Sequence, residues 1–225
     1  MNFSDLQIIK DELYGNVIFK RIKKMIKEKL SDPIRMYSYN LIMNYLEKIP
    51  HSKKLLDIGC RESKFPAYMA SLGYIVDCVE RDGSIIKLQN KYKNEFKTNY
   101  NLYINDLLDL DFTKYDIVTS IYALQHNINK DIECYQKAAE ICNRFLFITN
   151  EFNYDKEKLD IGRSDGDLRK YSFEQLSERI LNPINKVHKI QNIMVEYSLF
   201  NFLKQTIYKV ATPEQANTVH IRIEF

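Results

Sequence analysis

Four short apolar runs in the middle of the chain each end in acidic or polar residues, and those endings are where chemistry is expected. The first closes as Leu55-Leu56-Asp57-Ile58-Gly59-Cys60-Arg61, the second as Val79-Glu80-Arg81-Asp82, the third as Asn105-Asp106-Leu107 and the fourth as Ser120-Ile121-Tyr122. Carboxylates accept hydrogen bonds from hydroxyls and amines. A phosphate cradle is missing. A dinucleotide fingerprint starting at Gly59 needs glycines at positions 61 and 64, where the chain carries Arg61 and Lys64. Bulky side chains there oppose the close backbone approach that a pyrophosphate requires. No Walker A loop occurs. Cys60, Cys78, Cys134 and Cys142 form no C-x-x-C pair, and His51, His126, His188 and His220 are scattered. No zinc-type spacing results, and no metal is expected.

The elements that must position these residues follow from periodicity. Strands are expected over 54–59, 74–80, 100–105, 115–122 and 144–150, with helices over 65–72, 84–96 and 130–143. Strands alternating with helices imply βαβ crossovers and a mostly parallel sheet covered on both faces. In such sheets ligands bind beyond the carboxyl ends of the strands, where strand order reverses. Residues 20–29 hold six basic residues and one acid, and their apolar members recur at helical spacing, which predicts an amphipathic helix with a solvated basic face. A further helix begins at Pro33. Beyond residue 150 the pattern changes. Residues 151–170 read as a polar loop, 172–180 as a helix opened by a Ser172/Gln175 capping box, and 187–195 as a strand. At 217–225, Val219, Ile221, Ile223 and Phe225 alternate with His220, Arg222 and Glu224, predicting a half-exposed antiparallel strand near a sheet edge. His188 and His220 then fall on sheet surfaces.

The chain has 225 residues, 45% hydrophobic and 28% charged, with a net charge of +3. Those proportions exclude disorder of the whole and are too weakly basic to announce a nucleic-acid binder. No apolar run approaches the roughly 20 residues needed to span a bilayer. The opening Met-Asn-Phe-Ser-Asp lacks an apolar signal core, so a cytoplasmic protein is expected.

In order, these tips resemble the class I S-adenosylmethionine-dependent methyltransferase family. Leu56-Asp57-Ile58-Gly59-Cys60 is similar to its first motif, and the run from Gly73 to Glu80 to its second strand. Asn105-Asp106-Leu107 resembles the adenine-binding tip, and the run from Tyr115 to His126 the fourth motif. Glu80 lies 21 residues after Gly59, the spacing of one βαβ step. The resemblance covers 54–150. It implies a Rossmann-like, doubly wound α/β fold: a mostly parallel seven-stranded sheet with an antiparallel C-terminal strand. It also implies one methyltransferase domain over 1–225, with a helical cap (1–50), a cofactor-binding core (51–150) and an acceptor side (151–225). The family's turn usually carries further glycines where this chain has Arg61 and Ser63.

The roles implied by the resemblance are specific. Asp57, with backbone groups near Gly59 and Cys60, takes the amino group of S-adenosylmethionine. Arg61 either reaches the cofactor carboxylate or folds away. Glu80 accepts from both ribose hydroxyls. Asp106 takes the adenine amine and the Leu107 N–H a ring nitrogen. Arg81 and Ser120, at the second and fourth tips, belong to the same site. Methyl transfer needs an in-line nucleophile, and a sugar hydroxyl benefits from a general base. His126 and Glu151, following the fourth and fifth strands, are the candidate bases. Arg163, Arg169 and Tyr171 in the polar segment, with Tyr37 and Tyr39 in the helical region, are candidate acceptor contacts. The expected acceptor is small: an oxygen of a sugar, glycan precursor or phosphorylated metabolite, in a bacterial protein that is a monomer or homodimer. The alternatives are an RNA methyltransferase using 20–29 as a phosphate track, and a catalytically silent binding module.

Overall fold

The computed structural model describes residues 33–46, 53–111, 113–162, 166–201 and 206–225, the side chains of 33, 34, 36, 37, 40, 200, 201 and 206–210 excepted. The basic stretch 20–29 lies outside the described residues. Helix α1 (Pro33–Leu46) precedes β1 (Lys54–Ile58), α2 (Phe65–Ser71), β2 (Ile75–Glu80), α3 (Ile86–Phe96) and β3 (Asn101–Ile104). Then follow β4 (Tyr115–Ile121), α4 (Asp131–Glu140) and β5 (Cys142–Glu151). A short ribbon of β6 (Lys158–Asp160) and β7 (Leu168–Lys170) leads to the helical segment α5 over 173–187. Strands β8 (Asn192–Asn201), β9 (Thr206–Val210) and β10 (Thr218–Glu224) end the chain.

The main sheet runs β3-β2-β1-β4-β5-β10-β8-β9. β3 through β5 pair in parallel, and β10 is antiparallel to both β5 and β8. This is the expected mixed sheet, extended by β9 as an eighth strand. Strand order reverses between β1 and β4. Consecutive strand residues feed opposite layers, as the pleat requires. Leu56, Val118 and Leu146 pack with Tyr135 of α4 and Ile180 and Ile184 of α5. Leu55, Ile117 and Phe145 pack with Ile42 and Leu46 of α1 and Phe65 and Met69 of α2.

Four expectations need correction. The segment 151–170 is not all loop: β6 and β7 pair within it, and strands of three residues are too short to show a period. The helix after Ser172 runs past 180 to Val187, through a π-helical stretch at Leu176–Leu181, so the following strand starts only at Asn192. Pro183 cannot donate to the carbonyl one turn back, and the wider π turn just before it absorbs that loss. The strand β10 is antiparallel as expected but lies inside the sheet, not near its edge. Its polar face is therefore covered by α1: Arg222 stacks over the Tyr45 ring at 3.9 Å, and His220 is buried. The two ring nitrogens of His220 meet Thr149 Oγ1 (3.1 Å) and Ser198 Oγ (2.8 Å), and burial pushes its pKa down to about 3. His188 is likewise not on a sheet. It caps α5 and stacks on Phe225 at 4.1 Å.

Candidate cofactor site

β1 ends in a turn that only glycine can begin. Gly59 has φ +73°, and a Cβ there would lie 2.3 Å from the Ala123 Cβ. The β1 turn thus passes directly against the turn leaving β4. The Gly59 N–H donates to the Val79 carbonyl (2.8 Å), locking the turn to β2. Arg61 continues it in the left-handed region, at φ +39°.

Glu80 closes β2. Its Oε2 accepts from the Arg61 N–H (3.0 Å), and its Oε1 from the N–H groups of Arg81 (2.8 Å) and Asp82 (3.2 Å). Three amides hold this carboxylate in one orientation at the strand tip. Asp82 caps the next turn through the Ser84 N–H, which holds its carboxyl below the usual range. Asp106, at the β3 tip, accepts from the Leu108 N–H (3.0 Å) and lies 3.8 Å from the Arg81 guanidinium.

These tips surround one cavity of about 610 Å³, within the range typical of small-molecule sites. Gly59, Arg61, Glu80, Arg81, Asp106, Leu107 and His126 line it, so seven of the expected site residues converge. The lining continues through Tyr122 to Leu124 and Asn127 to Lys130, with Gly166 and Asp167 from the connection between β6 and β7. Tyr122 is held at φ +54°, with its N–H on the Thr149 carbonyl (2.8 Å) and its hydroxyl 3.2 Å from Thr218 Oγ1. Non-glycine residues in that region are uncommon and concentrate at functional sites. His126 Nδ1 lies 2.9 Å from the Asp167 carbonyl oxygen. A carbonyl only accepts, so Nδ1 carries the proton in this contact and Nε2 of the neutral ring holds the lone pair.

The other expected residues lie elsewhere. Asp57 sits behind the turn, 3% exposed, with the Thr119 hydroxyl donating to its Oδ1 (2.7 Å). Burial pushes its pKa up to about 7, against the lowering effects of Thr119 and Arg35. Cys60 and Ser120 are buried, and Ser120 Oγ accepts from the Leu124 N–H (3.3 Å). Glu151 is not on the cavity wall. Its carboxylate pairs with Lys170 (3.0 Å), which also pairs with Asp160. Tyr39 is no lid. It stacks flat on Phe65 (4.4 Å), with its hydroxyl 2.6 Å from Ser63 Oγ.

Arg169 and Tyr171 are structural rather than acceptor-facing. Arg169 donates to the Ile128 carbonyl (2.7 Å) and pairs with Asp131 and Glu157. The fully buried Asp131 also takes two bonds from Arg179 and one from the Tyr171 hydroxyl. This cluster ties the ribbon and α5 to the start of α4, and through Ile128 to the cavity wall. The side chain of Tyr37 and all of Arg163 lie outside the described residues. Sequence reasoning placed Asp82, Asn105 and Tyr122 in the strand tips without giving them a role, and it missed the run 127–130, which lies a few residues beyond the fourth tip. Gly166 and Asp167 reach the site only through the fold of the ribbon and had no local signal.

Among the described residues, no three His, Cys, Asp or Glu side chains are grouped to hold a metal ion, and no helix is long and apolar enough to cross a membrane.

No family model matches the chain, and no curated protein matches it by sequence. Solved structures do match by fold. The N-terminal domain of EvdMO1, in the presence of S-adenosylhomocysteine and D-fucose, aligns with TM-score 0.62 and 15% identity, over 86% of this chain and 83% of that one. The 1,6-didemethyltoxoflavin-N1-methyltransferase of Burkholderia thailandensis, with that acceptor and S-adenosylhomocysteine bound, aligns with TM-score 0.62 and 12% identity, over 98% and 92%. TehB from Haemophilus influenzae aligns with TM-score 0.60 and 14% identity over 85% of this chain, which spans 66% of TehB. The chain has the class I S-adenosylmethionine-dependent methyltransferase fold.

Proposed function

We propose that this protein is an S-adenosylmethionine-dependent methyltransferase acting on a small acceptor, most naturally an oxygen of a sugar, glycan precursor or phosphorylated metabolite. The observation that carries the reading is the meeting of the Gly59 turn with the Glu80 and Asp106 carboxylates and His126 in one cavity of about 610 Å³. The donor set suits the cofactor: carboxylates for a diol and an amine, and no cradle for phosphates. Glu80, oriented by three amides, takes the ribose hydroxyls; Asp106 and Leu107 take the adenine; Asp57, buried behind the Gly59 turn, serves the amino group through water. The cofactor supplies an activated methyl group on a sulfonium. His126 takes the acceptor proton at Nε2, since Nδ1 is committed to the Asp167 carbonyl. The chain is read as one domain, with 151–225 on the acceptor side. A neighbour solved in the presence of D-fucose and another with bound 1,6-didemethyltoxoflavin support a small acceptor. The four free cysteines, all buried, support a reducing, cytoplasmic setting.

The test is thermal unfolding with S-adenosylhomocysteine, against NAD and ATP. Ligand at a hundred times its Kd stabilises by about 2.7 kcal/mol, raising the midpoint by roughly 5–10 °C. A shift with S-adenosylhomocysteine alone is expected. No shift, in protein shown free of bound ligand, overturns the proposal.

A further inference from the structure

The turn after β1 lacks the extra glycines of the fold family, and Arg61 occupies a left-handed conformation that a Cβ disfavours. We propose that Gln89, on α3, and Tyr100, ahead of β3, act as positioning residues that hold this turn in its cofactor-binding shape. This rests on the cofactor reading above.

The argument is one of complete hydrogen bonding. Gln89 has no exposed surface. Its Nε2 donates to the Arg61 carbonyl (2.5 Å) and to the Ser63 carbonyl (3.1 Å). Its Oε1 accepts from the Tyr100 hydroxyl, which is also 3.3 Å from the Gln89 carbonyl. Both amide protons are therefore spent on the turn, and the hydroxyl fixes which end of the carboxamide faces it. Two more contacts brace the same four residues. The Ser63 N–H closes the turn on the Cys60 carbonyl (2.9 Å), and Ser63 Oγ takes the Phe65 N–H (3.0 Å) beside the Tyr39 hydroxyl. The consequence at the site is direct: with its carbonyl held by Gln89, the Arg61 N–H points at Glu80 Oε2. A glycine in place of Arg61 adopts positive φ without strain, so the turn then needs less external support.

The test is a double-mutant cycle between positions 61 and 89: wild type, Q89M, R61G and R61G/Q89M, with Y100F alone and with R61G. Two quantities are measured: the S-adenosylhomocysteine Kd by calorimetry, and the urea midpoint of the ligand-free protein. Q89M leaves the Arg61 and Ser63 carbonyls without this donor, the second of them buried, and should weaken binding by about tenfold or more with Arg61 present. With R61G present the same change should cost less than about threefold. The urea midpoints should show the same dependence, and Y100F a smaller version of both. If Q89M does not fold, the Y100F pair reads the same coupling. Equal cost of Q89M in both backgrounds, in both measurements, overturns the proposal. Coupling in urea without any ligand binding by the wild type means that the clamp stands and the cofactor reading fails.

Discussion

Replacing Asp57 by Asn should stabilise the ligand-free protein at alkaline pH while removing cofactor binding. Asp57 is 3% exposed, and burial raises its pKa from 3.8 to about 7. The folded state therefore keeps a proton that the unfolded state has lost between those values. Its contribution to stability is full below pH 3.8 and is lost as pH rises through 7. The difference of about 3 pKa units corresponds to about 4 kcal/mol as an upper bound. Roughly 1.7 kcal/mol of that is lost by pH 5, and a further ~2.5 kcal/mol between pH 5 and 8. Asn has the same shape, keeps an acceptor for the Thr119 hydroxyl and does not titrate. Urea unfolding of both proteins at pH 5, 6, 7 and 8 isolates this group, because all other titrations cancel in the difference. The stability of D57N relative to wild type should grow by ~2.5 kcal/mol across that range, and D57N should show no thermal shift with S-adenosylhomocysteine. Parallel pH profiles would show that Asp57 titrates normally and refute the reasoning.

Three other outcomes are expected. Gly59→Ala places a methyl 2.3 Å from the Ala123 Cβ at φ +73°, and should cost about 2–5 kcal/mol in urea unfolding. Asp131→Asn removes the charge between Arg169 and Arg179 and should cost about 3–5 kcal/mol, measured in the same way; a loss under ~1 kcal/mol would mean that the cluster is not a structural hub. With an acceptor in hand, His126→Gln should lower kcat about 10²–10⁴-fold, which stopped-assay rates can check.

The parallel half of the fold was legible because β1, β4 and β5 are largely buried on both faces and read as apolar runs, and because each tip ends in a polar residue. The cavity-lining residues came with it, since tip position and chemistry coincide at Gly59, Glu80 and Asp106. Legibility failed where a residue's neighbours come from far along the chain. Arg169 looked like an acceptor contact, but its partner Asp131 is 38 positions away and nothing local announces the pairing. His220 looked half-exposed because alternation reports which residues share a face, not what covers that face. Glu151 had the right type and place, and Lys170, brought in by the ribbon, turned it into an ion-pair partner.

The position of β10 also bears on how the protein is made. β8 and β9 reach the parallel strands only through β10, which pairs with β5 on one side and β8 on the other. On the ribosome, β1 to β5 and their helices emerge first and can assemble during synthesis. The β8–β9 hairpin emerges next with no place in the sheet, and must wait for the strand that follows it. Until then the open edge of β5 is exposed to other nascent chains. Sheet completion is thus a late step, and a messenger truncated before residue 218 would yield a chain whose hairpin has no direct route to the sheet.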